Sequence, residues 1–349
     1  MNIKIDRFFP RKASDEMWDK YFTLKEAIYH EGNSKDKLPS RILEKSFMMK
    51  PSSDYNIYRL VIFNEENSQV IGYGNLWHEN EKSPYYENVK DKTYAYIAIA
   101  KDHRRKGLAT ELLKAMTKYA KSIEKSIIRT EISRESGVSF CKKLEGELIT
   151  ERVLNRLYLN DVDWNLLDSW RKNAKGKKEG VSVEIFEAIP EVDLEEFCKL
   201  YTKTWNMAPA EDMICEMIFT PEKRRADEAL YRDKDCIWLT IITREPNGEI
   251  SGLSEVFYNE ENPEFLEQEL TGVIRDYQGR GLGKWLKAEM LFYLKERFPK
   301  AKYIQTGNNN ENAPMLSINN RMGFKIHQKQ TFFEFDLEKL LTKLGIKSY

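Results

Sequence analysis

Hydrophobic and polar positions along this chain fall into two series that run through the same order of elements. In the first, residues 57–63 and 70–78 alternate as strands do, and the polar stretch 64–69 joins them as a turn. Residues 94–100 form a third strand. Leu108, Leu112, Ala115, Met116 and Tyr119 then recur at helical spacing and share one helix face. A strand at 127–132, a short helix at 137–144 and a closing strand at 154–159 are predicted next. The second series places strands at 181–189, 237–243, 250–258 and 266–274. Its long helix sets Leu282, Leu286, Met290, Tyr293 and Leu294 on one side. A strand at 303–307, a helix at 313–321 ending before Gly323, and a last strand at 325–336 complete it. Helices are predicted at 14–30 and 193–203, near the start of each series.

Each series carries a distinctive stretch between its pre-helix strand and its long helix. These are Arg104-Arg105-Lys106-Gly107-Leu108-Ala109 and Gln278-Gly279-Arg280-Gly281-Leu282-Gly283. Glycine there permits a tight turn and close approach of a ligand to several backbone N–H groups. The helix start behind it adds about half a positive charge. Two nucleotide-binding patterns are excluded. Glycines at 279, 281 and 283 do not have the Gly-x-Gly-x-x-Gly spacing. A P-loop would need Gly where Gln278 stands and a hydroxyl where Trp285 stands. Gly107 and Gly281 lie about 174 positions apart, half the chain, as a duplicated domain requires.

Composition narrows the class. A length of 349 residues predicts about two domains. The hydrophobic share of 41% and the charged share of 32% describe a globular, water-soluble chain. Lys+Arg and Asp+Glu number 56 each, so no net field draws in nucleic acid or an anionic membrane. No apolar run approaches the roughly 20 residues of a membrane span, and residues 1–10 lack a signal-peptide core, so a cytoplasmic protein is expected. Cys141, Cys198, Cys215 and Cys236 form no Cys-x-x-Cys pair and read as buried free thiols. His30, His78, His103 and His327 show no metal-ligand spacing, so no metal is expected. The basic stretch 171–180 has no interleaved aromatics and reads as a solvated linker. The resulting domains are 1–165 and 181–349, with a linker over 166–180.

The paired stretches follow the pattern Gln/Arg-x-x-Gly-x-Gly/Ala after a strand and before a helix. In the second series Thr306-Gly307-Asn308 and Asn312 lead into a helix that ends in Gly323-Phe324. Together these motifs resemble the two cofactor motifs of the GNAT N-acetyltransferase superfamily, and most specifically its tandem two-domain branch, an architecture also seen in mycothiol synthase. The resemblance implies an α+β, mixed α/β fold of two tandem domains. Each would hold a mixed, mostly antiparallel sheet, flanked by helices, with one splayed parallel strand pair. It implies acetyl-CoA as cofactor, its pyrophosphate on the 104–109 and 278–283 loops and its pantetheine arm added to the exposed strand edge. Asn308 and Asn312 match the motif's asparagines and suit the amides of that arm. Arg275, Arg280, Lys284 and Lys287 are candidate phosphate partners. Ile99 ends the matching strand of the first copy.

Acetyl transfer to an amine needs a base, because deprotonating a Lys-like amine of pKa about 10.4 costs about 4.6 kcal/mol at pH 7. It also needs a donor for the developing oxyanion. The family commonly uses a strand carboxylate and a strand N–H. Here Glu267 matches the first, and the second falls near Val273 or Ile274. Period-2 alternation puts Glu269 and Thr271 on the face of Glu267. A tyrosine that protonates the thiolate in many members is replaced by Asn319 in one copy and Cys141 in the other. Asn319 can donate a hydrogen bond only, so solvent or another tyrosine such as Tyr277 takes over. In the first copy Thr93 falls opposite Glu267 and Arg134 opposite Asn312. The second half is therefore expected to catalyse, and the first to be structural or a degenerate binder. The expected activity is N-acetylation of a small-molecule amine. A non-catalytic acyl-CoA sensor or scaffold, and transfer of another acyl group or to a protein or peptide amine, are the alternatives. Residues 14–39 and 204–233, with Trp205, Met207, Met213, Met217 and Phe219, are expected near the acceptor. Monomer and homodimer are both left open.

Overall fold

The computed structural model describes residues 2–32, 38, 40–51, 53–66, 68–83, 85–207, 217–309 and 313–346. They divide into two compact units, Met1–Thr150 with Gln330–Tyr349, and Glu151–Lys329.

The first unit begins with β1 (Ile3–Arg7), α1 (Asp15–Gly32) and α2 (Arg41–Met49). Ser40 caps α2 by accepting a hydrogen bond from the Leu43 amide. Next come β2 (Tyr55–Asn64), β3 (Gln69–Glu79), α3 (Tyr86–Val89), β4 (Lys92–Ile99), α4 (Leu108–Ser122), β5 (Ile127–Ile132) and α5 (Glu135–Lys143). Then β6 (Glu147–Tyr158) carries the chain into the second unit. There α6 (Trp164–Asn173), α7 (Lys175–Lys178), β7 (Ser182–Phe186), α8 (Leu194–Asn206) and α9 (Pro221–Arg232) follow. Thr220 and Pro221 start α9, the threonine hydroxyl accepting from the Lys223 amide. The unit continues with β8 (Cys236–Arg244), β9 (Ile250–Asn259), β10 (Phe265–Val273), α10 (Leu282–Arg297), β11 (Tyr303–Asn309) and α11 (Ala313–Met322). Finally β12 (Lys325–Asp336) and α12 (Leu337–Lys343) return to the first unit.

Within the first unit the strands lie in the order β1-β2-β3-β4-β5-β12, and within the second β6-β11-β10-β9-β8-β7. In each, one pair is parallel, β4 with β5 and β10 with β11. The other neighbours run antiparallel. The fold is thus the mixed sheet with flanking helices expected of two tandem repeats.

The units divide otherwise than at 166–180. The closing strand 154–159 pairs with β11, and β12 pairs with β5, so each unit is completed by a strand from the other half of the sequence. Alternation marks which face of a strand is buried, but two similar sheets offer that strand equivalent edges. The expected linker is helical instead. Asp163 caps α6, which buries Leu167 and Trp170 against α10. Gly176 in α7 is buried, and a Cβ there would come within 2.4 Å of Leu282 Cδ2. The stretch is polar because its outer face meets water; a few apolar residues seat it on α10.

The sheet of each unit is covered on both faces. In the second, α10 and α6 bury Leu286, Met290, Leu294 and Trp170 on one face, and α8 buries Phe197, Leu200 and Tyr201 on the other. In the first, α4 and α12 cover one face and α1 the other.

Candidate active site

The second unit's site is built on an irregularity of β10. Its parallel pairing with β11 stops at Glu267↔Gln305, although β10 runs on to Val273 and β11 to Asn309. A gap therefore opens between two neighbouring parallel strands. On the other side, the register between β10 and β9 shifts between Gln268 and Thr271. From Val273 to Glu267 the chain takes six steps, while β9 takes five from Gly252 to Phe257. The extra residue is a bulge, and it breaks the alternation.

This corrects the expected face of Thr271. Its hydroxyl lies 2.7 Å from Ser254 Oγ and accepts from Gln268 Nε2 at 3.2 Å. Gln268 in turn accepts from Lys287 Nζ of α10 at 2.6 Å. Thr271 thus joins the α10 side, while Glu267 and Glu269 stay on the opposite face. Lys287, expected near phosphate, is only 1% exposed, and burial pushes its amine down to about 7. It props the bulge from behind.

Glu267 and Glu269 can be reached by water, but protein crowds them on their remaining sides. That crowding raises both carboxyls above the usual range. Glu269 is pushed up to about 7, first by desolvation, then by the charges of Glu267 and Glu255. Solvent access tempers the shift and leaves its direction standing. Gly272 on β10 lets α8 approach closely, since a Cβ there would come within 2.7 Å of Thr204 Cβ. One turn earlier on α8, Tyr201 lies beside Glu255, short of a well-formed hydrogen bond, and also feels Glu269. Tyr231 of α9 stacks on Phe257 at 4.5 Å and feels both Glu269 and Glu267. Burial, foremost, keeps both phenols neutral.

Behind them Arg224 is 6% exposed and fully engaged. It donates to Glu228 Oε1 at 2.8 Å, Glu255 Oε1 at 2.7 Å and Thr240 Oγ1 at 2.9 Å, and lies 3.8 Å from the Trp238 ring centroid. Glu228 and Glu255 pair with Arg224, and Arg225 also donates to Glu228, while among the described residues no cation pairs with Glu267 or Glu269. The wall is acidic and aromatic, suited to a cation. Sequence reasoning missed Tyr201, Tyr231, Arg224 and Glu255. The available signal was charged Glu255 inside the apolar run of β9. Trp205 and Phe219, expected at the acceptor, pack on Tyr201 at 6.1 and 4.5 Å. Met213 lies outside the described residues.

At the end of β10 the chain turns through Gly279 (φ 77°) and Gly281 (φ 79°) into α10. Among the described residues, no acceptor takes the backbone N–H groups of 279–283. A Cβ at Gly279 or Gly281 would meet nothing within 4 Å. Glycine is needed here for its left-handed backbone, and the open side is free for an anion. Gln278 Nε2 fixes the turn by donating to the Val273 carbonyl at 2.9 Å. The Ile274 amide is taken by the Ser251 carbonyl at 3.0 Å, so Ile274 offers no oxyanion donor. By strand alternation the Val273 N–H then points away from β9, into the gap.

Other predicted residues lie elsewhere than expected. Arg280 is held by Glu179 and, at 2.9 Å, by Glu245, because the adjacent carboxylates neutralise it first. Lys284 lies 5.9 Å from the Trp170 ring centroid, and Arg275 is exposed. Asn319 is 1% exposed within α11. Tyr277 donates to Glu249, which ties down the proposed stand-in acid. Asn308 is the penultimate residue of β11, opposite Val153, and Asn312 lies outside the described residues. Burial pushes the Cys141 thiol up to about 12, which leaves it inert at neutral pH. Cys215 lies outside the described residues.

The first unit repeats the turn and omits the bulge. Arg105 (φ 61°) and Gly107 (φ 81°) take the conformations of Gly279 and Gly281, and Arg104 Nε donates to the Ile99 carbonyl at 3.0 Å as Gln278 does to Val273. Among the described residues, the N–H groups of 105–109 also lack acceptors, which covers Arg105, Lys106, Gly107, Leu108 and Ala109. Its parallel pairing stops at Ala95↔Thr130. From Ile99 to Tyr94, β4 takes five steps against five on β3. The register position of Glu267 is therefore Tyr94, not Thr93, and that of Glu269 is Tyr96. Thr93 is buried, its hydroxyl donating to the Trp77 carbonyl at 2.8 Å. Arg134 donates to the Ile28 carbonyl at 2.7 Å.

Among the described residues, no helix is long and apolar enough to cross a membrane, and no group of His, Cys, Asp and Glu is placed to hold a metal. The family model described as acetyltransferase (GNAT) family matches residues 18–145 and again 194–324. No curated protein matches the chain in sequence. Among solved structures, a tandem GNAT protein from the clavulanic acid biosynthesis pathway is similar at 16% identity and TM-score 0.77, over 96% of this chain and 99% of that one. A GNAT protein from Sphaerobacter thermophilus aligns at 13% identity and TM-score 0.66, over 96% of each chain. N-myristoyltransferase of Saccharomyces cerevisiae with bound myristoyl-CoA aligns at 12% identity and TM-score 0.56, over 96% of this chain and 78% of that one. At these identities the likeness concerns the fold.

Proposed function

The chain belongs to the acetyltransferase (GNAT) family, and on that premise we propose that its second unit acetylates the primary amine of a small cationic molecule, using acetyl-CoA. The observation that carries this reading is the placement of Glu269. It sits on the bulge of β10, at the mouth of the parted strands, with a raised carboxyl among Tyr201, Tyr231 and Glu255. The free amides of 279–283 fit a pyrophosphate, and no Cβ at either left-handed glycine crowds them. When bound, acetyl-CoA supplies a thioester carbonyl carbon to which the amine nitrogen bonds as the carbon–sulfur bond breaks.

The residues of this chain do the rest. The acidic wall draws in the ammonium and holds it near Glu269. Glu269 removes one proton and releases it to water; after the amine attacks, the nitrogen gives up a second proton, and water delivers one to the departing sulfur. The Val273 N–H is the donor placed for the oxyanion. Tyr201 and Tyr231 remain neutral hydrogen-bond donors. Equal numbers of cationic and anionic side chains, 56 each, favour a small acceptor over a nucleic acid.

The test is thiol release from acetyl-CoA across a panel of mono- and diamines, with neutral amino alcohols and peptides alongside. Small cationic amines should support release, and Glu269→Gln should remove it. Calorimetric binding of acetyl-CoA with no thiol released by any amine would leave a sensor and end the catalytic reading.

A further inference from the structure

We propose that the first unit holds a separate binding site for a small organic carboxylate with a flat apolar body. The site is a cavity of about 340 Å³ between α1, α2 and the β2–β3 hairpin. That volume is at the lower end of small-molecule pockets, roughly 300–1,000 Å³. Tyr21 and Lys25 line it from α1, Glu44 from α2, Arg59 from β2, and Asn75 and Trp77 from β3.

The charges on this wall do not cancel. Lys25 and Glu44 form an ion pair. Tyr21 is 2% exposed, and burial keeps its phenol neutral. Arg59 is left over. It is half-buried, and among the described residues no hydrogen bond or ion pair engages its guanidinium. A planar fork of N–H donors lining an open cleft calls for a planar anion, which a carboxylate supplies and a bare halide does not. Asn75 lies directly across the strand pair from Arg59, where its amide, which also interacts with the Tyr21 hydroxyl, carries a second N–H. Trp77, stacked on Tyr94 at 5.7 Å, provides a rigid ring for an apolar body.

The second unit shows what such a guanidinium seeks. At the same register position Thr240 stands opposite Glu255, in place of Arg59 opposite Asn75. There Arg224 of α9 fills the space, and Glu255 supplies its carboxylate. In the first unit the space is open, the guanidinium comes from the sheet, and Asn75 has no charge to offer. The ligand's carboxylate would do for Arg59 what Glu255 does for Arg224.

The experiment is isothermal calorimetry on the full chain without acetyl-CoA, using phenylacetate, 4-hydroxybenzoate and hexanoate beside their primary amides. A carboxylate should bind about tenfold or more tighter than its amide, and Arg59→Gln should weaken it by a similar factor, with Arg59→Lys between. Met48→Trp, which fills the cavity and leaves Arg59 in place, should abolish binding and covers the case that Arg59→Gln fails to fold. Equal binding of acids and amides, unchanged binding in either variant, or no binding of any carboxylate at millimolar concentration would overturn the proposal. Amine acetylation by the second unit is a separate readout, which Arg59→Gln should leave unchanged.

Discussion

Replacing Glu269 with Gln removes the carboxylate that the site lifts to about 7, while Glu267, also raised, remains. The Glu269 carboxyl is pushed up by the protein crowded around it and then by Glu267 and Glu255. An ordinary glutamic acid is more than about 99% ionised at pH 7, whereas one near 7 is about half ionised. Less base is present at neutral pH, but each carboxylate is matched to the task of taking a proton and giving it up again. The kcat for a small amine should therefore climb with pH up to about 7 and level off. Glu269→Gln should lower kcat by about 100- to 10,000-fold, the range for one general base, and erase that limb. The KM for acetyl-CoA should stay within about twofold, because Glu269 faces the acceptor. Glu267→Gln should do something different. It removes a neighbouring charge, so the limb moves to lower pH while the plateau falls far less. Thiol release followed from pH 5 to 9 separates the three proteins. If Glu269→Gln keeps kcat within about threefold and the limb stays in place, the base lies elsewhere. A check without turnover exists as well. A carboxyl raised in the folded state favours its protonated form, so stability declines as pH rises from the ordinary carboxylate value to about 7. Glu269→Gln should flatten that decline.

Lys287 gives the opposite pH signature: its amine is pushed down to about 7, so the fold loses stability as pH drops from the ordinary lysine value toward 7. Unfolding free energies from urea titrations of the wild type should fall between pH 10 and 7.5, by at most a few kcal/mol, and those of Lys287→Met should stay level. Arg224→Met strands Glu255 in the interior and leaves Glu228 to Arg225, and should cost about 3–5 kcal/mol in urea unfolding, with much of the loss restored by adding Glu255→Gln. Gly281→Val forces a β-branched residue to φ 79°, and should weaken acetyl-CoA binding by about tenfold in calorimetry. Arg105→Gly relaxes φ 61° and should leave binding intact.

Periodicity located most of the scaffold. Strands 127–132 and 325–336 lie where their alternation put them, and α4 begins at Leu108, behind its glycine. The elements missed are those whose pattern is short or mixed. β1 spans five residues, α7 is polar outside, and α9 buries Arg224 and Glu228, which a hydrophobicity pattern reads as surface. Partner choice was illegible for the same reason that β6 and β12 have equivalent slots to fill. At the site, the glycine turns before the long helices and the shared face of Glu267 and Glu269 were legible from spacing. The placement of Thr271 and Thr93 was not, because both depend on one extra residue in β10 that leaves no mark in composition. Arg280 and Lys287 were misplaced for a common reason. A sequence shows a cation near a phosphate loop, but not the carboxylate or amide that reaches it first.

The two units differ by what their backbones demand. The turn before the long helix is a backbone shape, and it persists in the first unit although Arg105 adopts a left-handed conformation that costs roughly 1 kcal/mol. The wall beside it is a matter of register, where a single residue decides. With the bulge, β10 turns Glu267 and Glu269 to one face and Gln268 and Thr271 to the other, where Lys287 holds them. Without it, β4 runs straight and presents Tyr94 and Tyr96 at the same positions. Grafting Glu onto Tyr94 and Tyr96 would then reproduce the charges and omit the step in the strand that sets them beside the gap. A carboxylate on an unbulged strand keeps its alternation. Alternation still sets the two grafted carboxylates on one face, but β4 keeps its unbroken pairing with β3 and does not step toward the gap. On the proposed function, the inserted residue of β10 matters before the side chains beside it.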